Sequence, residues 1–592
     1  MAKQSRLNAT YRIKFWVKLS LCLILVASGL LPGGISDAKA EAGITAAASV
    51  ADRTITIKGS IASGEGREVT VIVTNPRGEA EYLNQMTSGE DGHYQFVFTL
   101  NSVINGVYQV RVGGTGIEEP LETTFRMSSG QPGSTSPPAG GMVPADAKWH
   151  SFGEGARAGV QYKANANELQ NGMTGEGKPA HRLNMDTDML AHGFATLRNQ
   201  EENASGNGAG SIMRIIVENT LPAVVVSMPV HALIEGAKKT SDAIVVIQTL
   251  SASYHLPIER LDLQAWVKDW NTDVNAADIN VEITLEQMSG GNSGNSGNSG
   301  GGDIEKALLA QELKPLTGAF GFKLVITSPT GERAITDYNG VYVERMIHVP
   351  VEVDFNRSTG VLYDPVTKNL SFAPTLFEMI DGKRQAVIKR PGNSIYLVVH
   401  GDKSFSDIAA HWARADIEQL ASKLIVHGMT TTAYEPDAPI TRAQFAALLV
   451  RALGLAERSA TASAFHDVRP DDWHAGTVAA AVDAGLITGY EDGTFRPNEQ
   501  ITREQLAVMA VRALKAAGKS ASVHDKRQNE LFMTFSDADA ISVWAREVVA
   551  EAMHAGVMNG MADNRFEARK QATRAQAAVM LKRLLQYVEF IN

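Results

Sequence analysis

An arginine recurs inside Thr-Arg-x-Gln at Arg442, Arg503 and Arg574. Each follows a tryptophan (Trp412, Trp473, Trp544) by thirty residues and a glycine (Gly428, Gly489, Gly560) by fourteen. An aromatic, Tyr434, Phe495 or Phe566, stands twenty-two residues after each tryptophan, and an aspartate, Asp407, Asp467 or Asp537, stands just before it. A guanidinium is a permanently charged planar fork that grips a carboxylate through parallel N–H bonds. An indole face can stack on a sugar ring, and glycine lets backbone amides come close to a ligand. Residues of these types suit noncovalent recognition of an acidic saccharide.

Helices must hold them. After each tryptophan, apolar or small residues fall at a 3.6-residue period: Ile417, Leu420, Ala421, Leu424; Val478, Ala481, Val482, Gly485; Val549, Ala552, Met553, Gly556. Each pattern is one stripe of an amphipathic helix. A second helix begins at Thr441, Thr502 and Thr573, where Thr-x-x-Gln is a capping box closed by Gln444, Gln505 and Gln576. Phe445, Leu448 and Leu449 give the first of these helices an apolar face. A unit that cannot bury its own stripe must stack on its copies, so the three should fold as one body.

The arginine directly after the cap gains nothing from the helix dipole, which favours negative charge there. Two readings stand. The guanidinium and the helix N-terminus converge on one carboxylate, or the arginine makes a surface salt bridge to Asp407, Asp467 or Asp537. Each tryptophan either stacks on a sugar or fills the core. Each glycine ends the first helix, permits a tight turn, or opens the backbone to a ligand. The aromatic at offset twenty-two reads as core.

Upstream, Lys3 to Lys18 and the apolar run Leu19–Leu31 read as a secretory leader over 1–40, with cleavage after Ala38-Lys39-Ala40. The one cysteine, Cys22, lies inside it, so the mature chain would have no disulfide. The formal charge of −10 becomes −10 − (6 − 1) = −15 once the leader's six Lys/Arg and one Asp are removed. Such acidity argues against nucleic acid as a partner. No later segment reads as a membrane span.

Residues 41–128 alternate as short strands, such as Val69–Val73 and Tyr94–Phe98, with turns at Asn75–Gly78, Asp91-Gly92 and Asn105-Gly106. The expected fold is an immunoglobulin-like β-sandwich. Residues 129–148 read as a Ser/Gly/Pro linker and 149–210 as a poorly defined polar region with a short helix over Met185–Leu197. An α+β module is expected over 211–289, a flexible Asn-Ser-Gly linker over 290–302, and a separate β-rich module over 303–403. The repeats occupy 404–457, 464–518 and 534–588.

The repeats, with Phe405-Ser406-Asp407, Phe465-His466-Asp467 and Phe535-Ser536-Asp537 opening them, resemble the S-layer homology domain. Tyr342–Arg345, Gly360–Pro365 and Gly392–Tyr396 resemble a module that precedes such repeats in Bacillales-type, Paenibacillus-like surface proteins. The resemblance implies a multidomain chain ending in an all-α pseudo-threefold trimer. It implies noncovalent anchoring to a secondary cell-wall polymer, a peptidoglycan-linked and typically pyruvylated polysaccharide. Arg442, Arg503 and Arg574 would contact the carboxylate, and the Trp, Asp and Gly positions would shape the groove. It further implies a secreted, cell-surface location on a Gram-positive-type bacterium, no membrane contact after leader removal, and room for self-association in a surface layer.

The sequence departs from the family pattern in places. Glutamate is usual where Gln444, Gln505 and Gln576 stand. Ala568 and Ala572 replace the Pro and Ile of the other copies, and the long segment Gly518–Thr534 suggests a displaced third prong. No catalytic residue, metal site or cofactor motif is read. Asp186, Asp188 and His192 form a solvated helix face, and Asp273–Asp278 lacks the calcium-loop pattern. The alternatives are an enzyme of the glycan-hydrolase class or an adhesin that uses the repeats only as an anchor.

Overall fold

The computed structural model describes most of residues 39–127 and 149–592; residues 1–38, 128–148 and shorter stretches, among them 101–105, 204–210, 269–277 and 289–300, lie outside the description. Except for the strand Lys39–Glu41, the expected leader therefore falls outside it, as do the expected linker 129–148 and most of Asp273–Asp278. The chain divides into two bodies, residues 1–141 and 142–592.

The first body is an immunoglobulin-like sandwich of two four-stranded sheets. One orders the strands Lys39–Glu41, Ile44–Ala51, Thr54–Ile61 and His93–Thr99; the other orders Ala80–Thr87, Glu68–Thr74, Gly106–Gly114 and Leu121–Met127. Period-two alternation sends Ile55, Ile57, Val69, Val71, Phe96 and Val110 into one core. At Gly59 a Cβ would lie 1.8 Å from the Thr45 carbonyl, which accepts from the Tyr94 hydroxyl at 2.5 Å.

The second body begins with two large sheets that share one core. An eight-stranded sheet runs in the order Thr375–Ile380, Lys383–Arg390, Val343–His348, Ala252–Pro257, Ile244–Gln248, Ile212–Ile216, Gly159–Lys163, His150–Phe152. A ten-stranded sheet draws on strands from Gln170–Met173 to Ile395–His400. Strands on either side of 290–302 are hydrogen-bonded neighbours: Asn280–Gln287 pairs antiparallel with Phe320–Ser328, from Asn280↔Thr327 to Gln287↔Phe320. The expected separate modules 211–289 and 303–403 are thus one body, because Val281, Ile283 and Leu285 bury into the same core as Phe322, Leu324 and Ile326. A coil-forming composition sets the stiffness of a connection, not whether the strands at its two ends pair. The described residues of 149–203, expected to be poorly defined, are ordered into elements. They supply four strands and the helix Thr187–Asn203, which starts where Asp186 accepts from the Met189 N–H at 2.7 Å. Their strands are three to six residues long, too short for periodicity to reveal.

The repeats form a closed ring on a continuous core. The first helices are Arg414–Ser422, Ala475–Asp483 and Arg546–His554; the second are Arg442–Ala452, Arg503–Ala516 and Arg574–Tyr587. Each second helix packs on the first helix of the next repeat, and the third closes on the first. Three backbone bonds join the copies at the centre. Ile440 N–H donates to Ala572, Ala572 to Ile501, and Ile501 to Ile440, at 2.9–3.1 Å. The ring docks on the sheets through the Tyr342 hydroxyl, which donates to the Leu453 carbonyl at 2.8 Å, and the Thr375 N–H, which donates to Phe590. The buried Lys423 donates to the Phe355 and Ser358 carbonyls.

Candidate functional site

The capping boxes come first, because they fix where each arginine starts. Thr441, Thr502 and Thr573 accept from the N–H of Gln444, Gln505 and Gln576 at 3.2–3.3 Å, and each glutamine oxygen accepts from its threonine N–H at 3.0–3.3 Å. The next two N–H groups are also engaged. Arg442 and Ala443 donate to Glu499 and Pro497, Arg503 and Glu504 to Lys570 and Ala568, and Arg574 and Ala575 to Ala438 and Pro436. The helix N-termini are therefore filled by carbonyls of the neighbouring repeat, and no anion is received there through these N–H groups. Ala568 holds the place of Pro436 and Pro497 in this pattern, so the third repeat is in register and not displaced. The inserted segment folds as the helix Asp525–Phe532.

Each arginine reaches across the same seam. Arg442 Nε donates to the Phe495 carbonyl at 2.9 Å and Nη2 to Thr488 at 3.3 Å. Arg503 donates to Phe566 and Asn559 at 2.8 and 2.9 Å, and Arg574 to Tyr434 and His427 at 3.0 and 2.9 Å. Aromatic faces cover the guanidinium groups at 4.6–5.2 Å. The three arginines are only 8, 5 and 8% exposed. Burial lowers Arg442 and Arg503 from their ordinary value, yet arginine stays charged. Nη1 of each makes no hydrogen bond among the described residues and is not closed off from solvent. One N–H edge per seam is left over.

The salt-bridge reading is corrected. Asp407 accepts from the N–H groups of Tyr434 and Glu435 at 2.7–3.0 Å, Asp467 from Phe495 and Arg496, and Asp537 from Phe566 and Glu567. Each carboxylate stabilises a turn whose second residue is left-handed, with φ of 57°, 58° and 56° at Glu435, Arg496 and Glu567. Desolvation pushes the Asp407 carboxyl up, but the Tyr434 and Glu435 N–H bonds outweigh it and hold it below its ordinary value. Aspartate and arginine meet through one peptide group. Asp407 takes the N–H of the Tyr434–Glu435 peptide while Arg574 donates to its carbonyl, and Asp467 and Arg442, and Asp537 and Arg503, grip the matching peptides. Charges at both ends polarise such a peptide and strengthen both bonds.

Trp412, Trp473 and Trp544 do not fill the core. They are 66, 64 and 59% exposed. Tyr434, Phe495 and Phe566 are fully buried. Gly428, Gly489 and Gly560 do not end the first helices; left-handed Leu424, Gly485 and Gly556 do that, at φ 63–68°. A Cβ at Gly428, Gly489 or Gly560 would lie 2.1–2.6 Å from a ring atom of Phe405, Phe465 or Phe535. The glycine is the notch that seats the phenylalanine of Phe-x-Asp. Tyr490, which also covers the Arg442 guanidinium at 4.9 Å, was not legible as part of a seam. The available signal was its replacement by Met429 and Met561 at the matching positions.

Residues 404–446, 464–507 and 534–578 match the S-layer homology domain, so the chain carries three such domains. The chain is 38% identical over 250 residues to an amylopullulanase of Thermoanaerobacterium thermosulfurigenes, covering 40% of this chain and 13% of that one. It is 38% identical over 209 residues to exoglucanase XynX of Acetivibrio thermocellus, covering 35% and 18%. It is 30% identical over 183 residues to an S-layer protein of Bacillus thuringiensis subsp. finitimus, covering 31% and 21%. The chain thus spans about a fifth or less of the length of these relatives.

Proposed function

We propose that this is a secreted cell-surface protein held noncovalently at the wall of a Gram-positive-type bacterium by its three S-layer homology domains. The ligand is a secondary cell-wall polysaccharide. Its acidic group, in the finer reading a pyruvyl carboxylate, meets the spare Nη1 edge of Arg442, Arg503 or Arg574, and Trp412, Trp473 and Trp544 offer their faces to sugar rings. One observation carries the reading: three tryptophans stand about two-thirds exposed, while the repeated aromatics Tyr434, Phe495 and Phe566 are buried. A large exposed apolar side chain repeated at one position marks a binding surface.

The test is a pull-down with purified sacculi. The intact chain should pellet with them, and Trp412→Ala, Trp473→Ala and Trp544→Ala combined should abolish pelleting without lowering the melting temperature. Pelleting that survives removal of the polysaccharide, or that the triple variant retains, overturns the proposal. Walls lacking the pyruvyl group test the finer ligand.

The second reading is a glycan-active segment displayed by the same anchor, favoured by the names amylopullulanase and exoglucanase among the partial relatives. Release of reducing sugar from starch, xylan or wall glycan by the intact chain would establish it.

A further inference from the structure

The eight-stranded sheet has one face in the core and one outside it. Met213, Ile215, Val245, Tyr254 and Leu256 point inward, so Arg214, Gln248, Ser253 and His255 share the other face. The hairpin Thr375–Arg390 arches across that outer face. Its tip residue Asp381 contacts Arg214 at 3.4 Å although three strands lie between them, and its Glu378 pairs with Arg157 at 2.8 Å. Left-handed Asp381 and Gly382, at φ 50° and 71°, make the tight turn that allows this. A concavity of about 320 Å³ remains beneath the hairpin, within the range of small-molecule sites.

The charges in this concavity are not balanced. Arg214 is stacked on the Phe152 ring at 3.8 Å, and its buried Nε has no hydrogen-bond partner. Its one carboxylate contact is long and ends on an Asp381 side chain that is 67% exposed. Lys383 joins the lining, and Glu218, also in the lining, is turned to Lys163 at 2.7 Å. His255 bonds Ser253 at 2.9 Å. Burial, then the Arg157 and Arg214 charges, pushes its imidazole down to about 3, so at neutral pH it adds hydrogen bonding and no charge. Gln248 and Gln385 add planar amides, while Met346 and Ile212 add apolar surface. A cation with an unmet donor asks for an oxyanion. Neutral amides and hydroxyls beside apolar atoms suit the rest of a sugar.

We propose that this concavity binds an oxyanion carried on a saccharide, a uronate carboxylate or a sugar phosphate, with Arg214 as its principal cation. It uses no residue of the repeats, so it would give the displayed region a glycan contact separate from the anchor.

Hydrogen exchange on the intact chain tests this, because it reports where a ligand acts and so separates this site from the ring. Glucuronate and glucose 6-phosphate are the probes, with glucose as the neutral control. Saturable protection of 248–252 and 380–385 is expected with at least one acidic sugar and not with glucose, and the sugar that protects identifies the oxyanion. Arg214→Met should weaken that response at least tenfold, and Lys383→Met, at an exposed position, about threefold. Should Arg214→Met fail to fold, Lys383→Met carries the test. No protection by either acid, equal protection by glucose, or unchanged affinity in the folded variants overturns the proposal.

Discussion

The arginines of the ring and Arg214 of the central sheet are both partly satisfied, but by different partners. Arg442, Arg503 and Arg574 each place two donors on neutral carbonyls of the next repeat, and aspartate grips the far side of the same peptide. Arg214 has an aromatic face, one long contact to an exposed carboxylate and a bare Nε. The first kind is a staple that has one edge to spare. The second is held in place with its charge largely unanswered. Repetition of a charged residue is thus not by itself a sign that binding is its main task; the seam needs the arginine whether or not a ligand comes.

Substitutions can break that contrast. Arg503→Ala should cost about 3 kcal/mol of ring stability, since it strands two carbonyls at a buried seam. Arg214→Met should cost less than about 1 kcal/mol. Urea unfolding followed by the helical signal reads both, and equal costs would dissolve the distinction. Gly489→Ala should cost about 2 kcal/mol, because the new methyl would meet Phe465 at 2.2 Å. No loss there would mean the phenylalanine notch is slack.

A smaller effect sharpens the staple. Asp467→Asn should cost about 1 kcal/mol and be coupled to Arg442→Ala by about 0.5–1 kcal/mol, because both act on the Phe495–Arg496 peptide. Simple additivity in a double-mutant cycle would deny that they work through one group.

A last effect, read against pH and not from substitution alone, concerns Lys423, where ring and sheets meet. Burial pushes its amine down to about 7. Its folded value lies below its unfolded one, so the folded chain holds fewer protons between the two, and stability should rise as pH climbs from about 7 toward about 10.4. A neutral amine still has two N–H donors for the Phe355 and Ser358 carbonyls. Melting temperature against pH should therefore climb more steeply in the parent chain than in Lys423→Met; matching slopes would remove the lysine from the account.

How much was legible followed the range of the interactions. The capping boxes close within four residues, and the buried Tyr434, Phe495 and Phe566 recur at one fixed offset from each tryptophan, so both could be read along the chain. The interleaving of residues 149–403 could not, because Asn280–Gln287 finds its partner across a polar insert and Gly159–Lys163 pairs in parallel with Ile212–Ile216. The glycines were read as helix ends, tight turns or openings of the backbone to a ligand, but their φ is ordinary and a phenylalanine ring crowds the place of a side chain in all three.

The amino-acid order alone determined that there are three equivalent units, where their second helices begin and which faces are apolar, since those depend on spacing and on bonds within one turn. Only the tertiary structure decided that the tryptophans stand in solvent, that each helix N-terminus is filled by its neighbour, and that Asp and Arg share a peptide instead of an ion pair. Those outcomes are competitions for hydrogen-bond partners and buried space between segments far apart in the chain, and their winners are set by which surfaces meet when the ring closes.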